Sequence, residues 1–314
     1  MNHIGFGQSS FALKAIGFTN KANPDDAILA LFADGKQGVW FDPSDKSTLF
    51  QDAAGTVPVT KDGDPVGLIL DKSQGLLLGD NTITVPPTVG TLSAYSIDSL
   101  ITDGLNITSA TQTAGIGGLT FELSNPIATG EYVLVTFEVT SLTGTIYSRL
   151  VKDNTGAGGG GSESSLVPKL KLGFNSAIFN ITSLPATHLQ LQANGAASFS
   201  ANNFKVQTIK GNHASQPLAA SRPTYKAVSD KAWLYNDKVD DKLLVKLPAI
   251  TATVVKATDE GVSINYPVNI TARDYAITST SALGRDYSYL IINKELSVSE
   301  ATQVTSYFNA KRGV

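Results

Sequence analysis

Three histidines, His3, His188 and His213, are the imidazoles of the chain, and they lie too far apart for any local metal-ligand spacing. A zinc hydrolase places two of them on one helical turn as His-Glu-x-x-His, and an α/β-hydrolase carries its serine in Gly-x-Ser-x-Gly. Neither pattern occurs. Asp240 and Asp241 form a carboxylate pair of the kind a glycosidase needs. Adjacent residues on a strand point to opposite faces, however, so the two would not flank one bond. The glycine tract 156–161, interrupted by Ala157, lacks the Lys-Ser or Lys-Thr of a phosphate-binding loop. It reads as a loop between strands. Oxygen-rich turns at Asp42–Asp45, Asp62–Asp64 and Asp237–Asp241 carry ligand atoms of the kind that Ca²⁺ takes. None matches an EF-hand loop, and Asp in turns ordinarily bonds backbone N–H groups. The expectation is a protein without catalytic activity, cofactor or metal.

Binding of a sugar calls for an exposed aromatic ring with amides and carboxylates around it. Between residues 79 and 210 the aromatic residues are Tyr95, Phe121, Tyr132, Phe137, Tyr147, Phe174, Phe179, Phe199 and Phe204, while Trp40 and Trp233 lie outside. Most sit among aliphatic residues and read as core. Tyr95 and Tyr147, with Asn154, are the candidate glycan-binding residues.

The elements that would position these groups are strands. Charged residues make up only 16% of the 314 residues against 42% hydrophobic, where about a quarter charged is usual. That balance excludes a disordered chain, and with abundant Thr, Ser, Val, Gly and Asn it points to a mainly β protein rich in turns. A net charge of −3 gives no field to attract nucleic acid. The pair Lys169 and Lys171 reads as a solvated strand face. The absence of cysteine excludes disulfides, thiolate metal sites and a cysteine nucleophile. No signal peptide and no membrane-spanning segment are expected.

Four parts follow from the patterning. Residues 1–78 read as a turn-rich docking or connector segment, with Asn23-Pro24 opening either a helical turn or a short strand before Ala27 to Phe32, and with 37–79 packing on something else. Residues 79–210 read as a jelly-roll β-sandwich, with strands expected at 93–99, 105–109, 118–123, 132–141, 146–151, 166–174, 178–181, 186–191 and 203–209. In the fourth of these Tyr132, Leu134, Thr136, Glu138 and Thr140 point one way and Val133, Val135, Phe137 and Val139 the other. Residues 211–226 read as an extended connector with two prolines. Residues 227–314 read as a small β-rich domain with strands at 232–235, 243–247, 252–256, 262–266 and 288–293. It ends in one helix, which Ser297 and Glu300 open as a capping box.

Three segments carry a resemblance. GVWFDPSDKSTLFQD from Gly38, running through TVPVT at Thr56 to PVGLILD at Pro65, resembles a segment of many tailed-bacteriophage structural proteins. GNHASQP from Gly211, followed by RPT at Arg222, resembles the connector that such proteins place after a jelly roll. DKVDD from Asp237, then YLIINKELS from Tyr289 and the final helix, resembles the ends of a concanavalin-like or laminin-G-like sandwich, here abridged. The resemblance implies a virion protein of tail-fibre, tail-associated or decoration type, made in the host cytoplasm. Its implied partners are other virion proteins and copies of itself, with a trimer favoured. The alternative it leaves open is a receptor-binding protein whose jelly roll, which is similar to carbohydrate-binding modules, recognises a host surface glycan.

Overall fold

A computed structural model describes residues 24–155, 169–182, 184–279 and 281–314. The glycine tract 156–161, and the start of the strand expected at 166–174, lie outside them. Pro24 opens α1 (Pro24–Leu29), at the position where a missing N–H costs a helix nothing. The run from Ala27 to Phe32 is therefore helical, with 3-10 turns continuing from Ala30 to Gly35. The segment after it supplies β1 (Gly38–Phe41), β2 (Leu49–Phe50) and β3 (Leu68–Ile69).

The central sandwich comprises β4 (Thr88–Val89), β5 (Ser99–Asp103), β6 (Asn106–Gln112), β7 (Ile116–Ile127), β8 (Tyr132–Thr143), β9 (Ile146–Val151), β10 (Gly173–Asn180), β11 (Ala186–Asn194) and β12 (Ala197–Thr208). One antiparallel sheet runs β10-β8-β12-β6-β5, the other β4-β7-β11-β9. From β6 to β12 each successive strand changes sheet, which is the crossing pattern of a jelly-roll-like sandwich. The alternation in β8 holds: Val133, Val135, Phe137 and Val139 enter the core between the sheets. There Phe204 stacks on Phe137 at 5.0 Å and meets Phe121 at 4.4 Å. Two expected strands are corrected. Residues 93–95 form a 3-10 turn, so that strand starts at Ser99; 178–181 belongs to β10, which starts at Gly173 and has no break before Asn180.

The remaining strands are β13 (Ala214–Ser215), β14 (Thr224–Val228), β15 (Lys231–Tyr235), β16 (Leu243–Thr258), β17 (Gly261–Ile277) and β18 (Arg285–Ile292), followed by α2 (Val298–Arg312). Pro248 suggests two strands where there is one. Residues 247–252 of β16 pair only with β17, while β13 and β18 take the ends of its other edge, so the proline's missing N–H interrupts no ladder there. β1 to β3 join these strands in one nine-stranded sheet. The sequence division at 1–78 and 227–314 is thus not a division of the sheet, and β1 pairs along β18.

Both faces of this base sheet are covered, which explains its unbroken apolar runs. Val39, Phe41, Tyr289 and Ile291 enter one core. Trp40, Leu290 and Ile292 enter the other, together with Ile28 and Leu31 of the N-terminal segment and Val304 and Phe308 of α2. The capping box of α2 is in place: Ser297 Oγ accepts from Glu300 N, and Glu300 accepts from Ser297 N.

The jelly roll is an insertion in this base. β3 pairs directly with β13, Leu68 opposite Ser215 and Ile69 opposite Ala214. The two stems stay together beyond that point, with Lys210 N donating to Leu77 O at 2.9 Å and Gly79 N to Thr208 O at 2.8 Å. Tyr132, Leu134 and Ile178, on the outer face of the five-stranded sheet, pack on Phe50, Leu68 and Leu70. Among the described residues no helix is long and apolar enough to cross a membrane.

Candidate functional site

Two of the three motif segments that carry the resemblance, 38–71 and 211–224, meet at the root of the insertion. Asp71, fully buried, accepts hydrogen bonds from Trp40 N, Ser73 N, Ser73 Oγ and Asn212 N at 2.8–2.9 Å. Burial raises its carboxyl to about 6 in spite of these bonds. Its own N–H donates to His213 Nδ1 at 3.0 Å, so the imidazole carries its proton on Nε2 and donates it to Ile209 O at 3.2 Å. Burial lowers His213 to about 4, which keeps it neutral. Gly211 has φ +132°, and a Cβ there would stand 2.9 Å from Asp71 Oδ2. Arg222, in the same connector, donates to Gln216 O, Pro217 O and Gln51 O. Both ring nitrogens of His213 are committed, so this cluster joins chain segments and has no base to offer a substrate.

The oxygen-rich turn at Asp42–Asp45 holds an ammonium group. Lys72 Nζ lies 2.7 Å from Asp25, 3.2 Å from Asp42 and 3.2 Å from Asp45, and it stands 4.6 Å above the Trp40 ring. Lys311 of α2 reaches Asp42 at 2.9 Å, and Tyr307 donates to Asp25. Burial by itself would raise Asp42, but Lys72 and Lys311 outweigh it and hold the carboxyl below its ordinary value. Burial would likewise lower Lys72, and the three carboxylates outweigh it and raise it. The network ties α1, the β1–β2 turn, the end of β3 and α2 together. At 237–241, Asp237 accepts from Val239 N at 2.8 Å and Asp241 accepts from Asp237 N at 2.9 Å. Together with Asp240 these carboxylates lie within 4.8 Å of one another. Their backbone bonds account for them as a turn, so the strand alternation expected to separate Asp240 from Asp241 does not apply: β16 starts only at Leu243.

The three candidate glycan residues lie around the four-stranded sheet, Tyr147 on one edge strand and Tyr95 beside the other. Leu119, Phe121, Leu189, Leu191, Ile146 and Leu150 face the core, so their alternates face away from it. Register places Thr88, Thr120, Gln190 and Arg149 in one row on that outer face, and Gly118, Gln192 and Tyr147 in the next. Ser96, the residue after Tyr95, bridges to Gly118 at the far end of the second row. Three strand spacings, about 14 Å, separate it from Tyr147. Asn154 comes to the same edge: its carbonyl accepts from Thr91 N at 2.8 Å, and Leu92 N donates to Thr155 O. Tyr95, Tyr147 and Asn154 are each half-buried.

At the centre of this face lies a feature that the sequence reading missed. Gln190 is fully buried with neither amide atom hydrogen-bonded, and its neighbour Thr120, 1% exposed, has a free Oγ1. A buried amide without partners is costly, and it offers its two N–H donors and its carbonyl oxygen to any polar group that reaches it. The alternation of Gln190 and Gln192 with Leu189 and Leu191 was the signal available, because it marks a polar face on a central strand. No protein-family model matches the chain, and no curated protein matches it, so the geometry of these sites carries the functional argument.

Proposed function

We propose that this chain is a structural component of a tailed-phage particle, in which the nine-stranded base assembles and the jelly roll is displayed. The observation that carries this reading is the insertion. Both stems of the jelly roll leave the base side by side at β3 and β13, and the Asp71–His213 cluster fastens them. Such a joint, together with the packing of Tyr132, Leu134 and Ile178 on Phe50, Leu68 and Leu70, holds the module in a fixed place on the base. The first described helix and the last are pinned together through Asp25, Tyr307, Lys72 and Lys311, as suits a base that bears load. Among the described residues β17 pairs with β16 alone, which leaves a long edge for a strand of another copy or of a particle protein. A homo-oligomer, with a trimer favoured, is part of the proposal. The test is mass spectrometry of density-purified particles from the source phage: the chain should be present at fixed stoichiometry. A chain found only in the soluble lysate would overturn the reading.

The second reading is receptor binding through the jelly roll. The partnerless Gln190 amide and Thr120 hydroxyl favour it, beside Tyr147 and the Tyr95 turn. Gln190 is out of solvent, so a glycan would have to displace what covers it. For that reason assembly ranks first. Retention of host cells by the purified chain, lost on Gln190→Ala and Tyr147→Ala, would reverse the order.

A further inference from the structure

A cleft of about 530 Å³ lies between the two modules. The turn between β7 and β8, Asn180 and Thr208 form one wall, and residues 211–217 with β16 and β17 form the other. Clefts at domain interfaces in the range of roughly 300–1,000 Å³ are the usual place for small ligands. Four charged side chains reach this one, Glu131 and Asp274 against Lys210 and Lys246, so their formal charges cancel. All four are exposed. Lys246 and Asp274 stand opposite each other in register, and among the described residues the ion pairs are made by other groups. A wall of uncommitted donors and acceptors with no net charge selects neither an anion nor a cation. It suits a neutral polyhydroxyl compound, because each hydroxyl both donates and accepts.

A second observation concerns Asn180, which lines the cleft. Asn180 Nδ2 donates to the Tyr132 hydroxyl at 3.1 Å, and that hydroxyl donates to Ala53 O at 3.0 Å. The amide is therefore held in one orientation, and its Oδ1 is buried without a partner. The His213 ring packs edge-on against Tyr132 at 5.1 Å and closes the floor. Ile209, Pro217 and Leu244 add an apolar strip that the C–H face of a sugar ring can cover. We propose that this inter-module cleft binds a short neutral oligosaccharide that touches both modules. The site is separate from the outer face of the four-stranded sheet and depends on neither reading of the overall function.

The test uses the full chain on an array of neutral, sialylated and uronic-acid oligosaccharides, with the best neutral binder then titrated calorimetrically. Neutral glycans should bind in preference to acidic ones. Asn180→Ala and the double variant Lys246→Gln/Asp274→Asn should each weaken binding about ten-fold, while Val298→Ala, at an exposed position of α2, leaves it unchanged. The double variant changes exposed side chains only, so its folding is not at stake. Preference for acidic glycans, binding of none at millimolar concentration, or affinity that follows Tyr147 and ignores the cleft residues would each overturn the proposal.

Discussion

Replacing Lys72 by Met tests the base most sharply, because the ammonium is nearly enclosed and its partners are unequal. Its side chain is 9% exposed and that of Asp42 is 0% exposed. Removing one partner of a buried pair typically costs about 3–5 kcal/mol, since the remaining charge stays desolvated. Lys311 still reaches Asp42 at 2.9 Å, which places the expected loss near the lower end, about 3 kcal/mol. The lost contact with the Trp40 ring adds roughly 0.5–1 kcal/mol. The control is Lys226→Met, whose ion pair with Asp62 at 3.5 Å is exposed on both sides and is worth roughly 0–1 kcal/mol. Urea unfolding followed by tryptophan emission is the assay. Trp40 and Trp233 both sit in the base core and the jelly roll has no tryptophan, so the signal reports the base alone. The pH dependence has a definite sign. Asp42 lies below its unfolded value of 3.8, so its contribution is complete above that and is lost as pH falls through the depressed value. Lys72 lies above 10.5, so its contribution is complete below that and is lost only on passing the raised value. The gap between the native chain and Lys72→Met should therefore persist from pH 5 to 10, inside those two limits, and narrow in acid. A loss no greater than that of Lys226→Met would refute the assignment of the network as the clamp between α1 and α2.

Further expectations concern the joint, the sheet and the helix. His213 is lowered from 6.5 to about 4, so the unfolded chain takes up its proton first as pH falls. Relative to His213→Gln, the native chain should lose about 3 kcal/mol between pH 6.5 and 4, measured by urea unfolding at each pH; parallel curves would contradict the buried neutral imidazole. A Cβ at Gly38 would stand 2.0 Å from Ile291 O across the β1–β18 pair. Gly38→Ala should therefore lose roughly 3 kcal/mol or more, or fail to fold, and a native-like melting temperature would show that β1 is not where it is placed. Ser297→Ala removes the hydroxyl of the capping box and should cost about 1 kcal/mol, visible as a small drop in thermal midpoint without change in far-ultraviolet dichroism.

Period-two alternation made the sandwich legible. Val133 to Val139 in β8 and the run 146–151 read directly as strands because one face meets a core and the other does not. The capping box at Ser297 is local chemistry and reads equally well. The insertion was not legible. β2, β3 and β13 are two residues long, and their pairing joins positions nearly 150 residues apart that carry no periodic signal of their own. β1 read as part of a turn-rich connector because its burial on both faces comes from partners at the other end of the chain. The motif residues Asp71, Gly211 and His213 were visible as a pattern, yet their role as a joint needs the backbone groups they bond. Gln190 was hidden by its chemistry, since a glutamine in an alternating strand reads as solvated and only the structure shows it buried.

The central claim is that the base assembles and the jelly roll is carried on it. Size-exclusion chromatography with light scattering tests this on two chains: the full one, and one in which residues 79–208 are replaced by a short Gly-Ser turn between the paired stems. The account predicts that both form the same oligomer and that the shortened chain keeps the buried-tryptophan emission of the base. A monomeric full chain, or a shortened chain that unfolds or loses the oligomer, would contradict it.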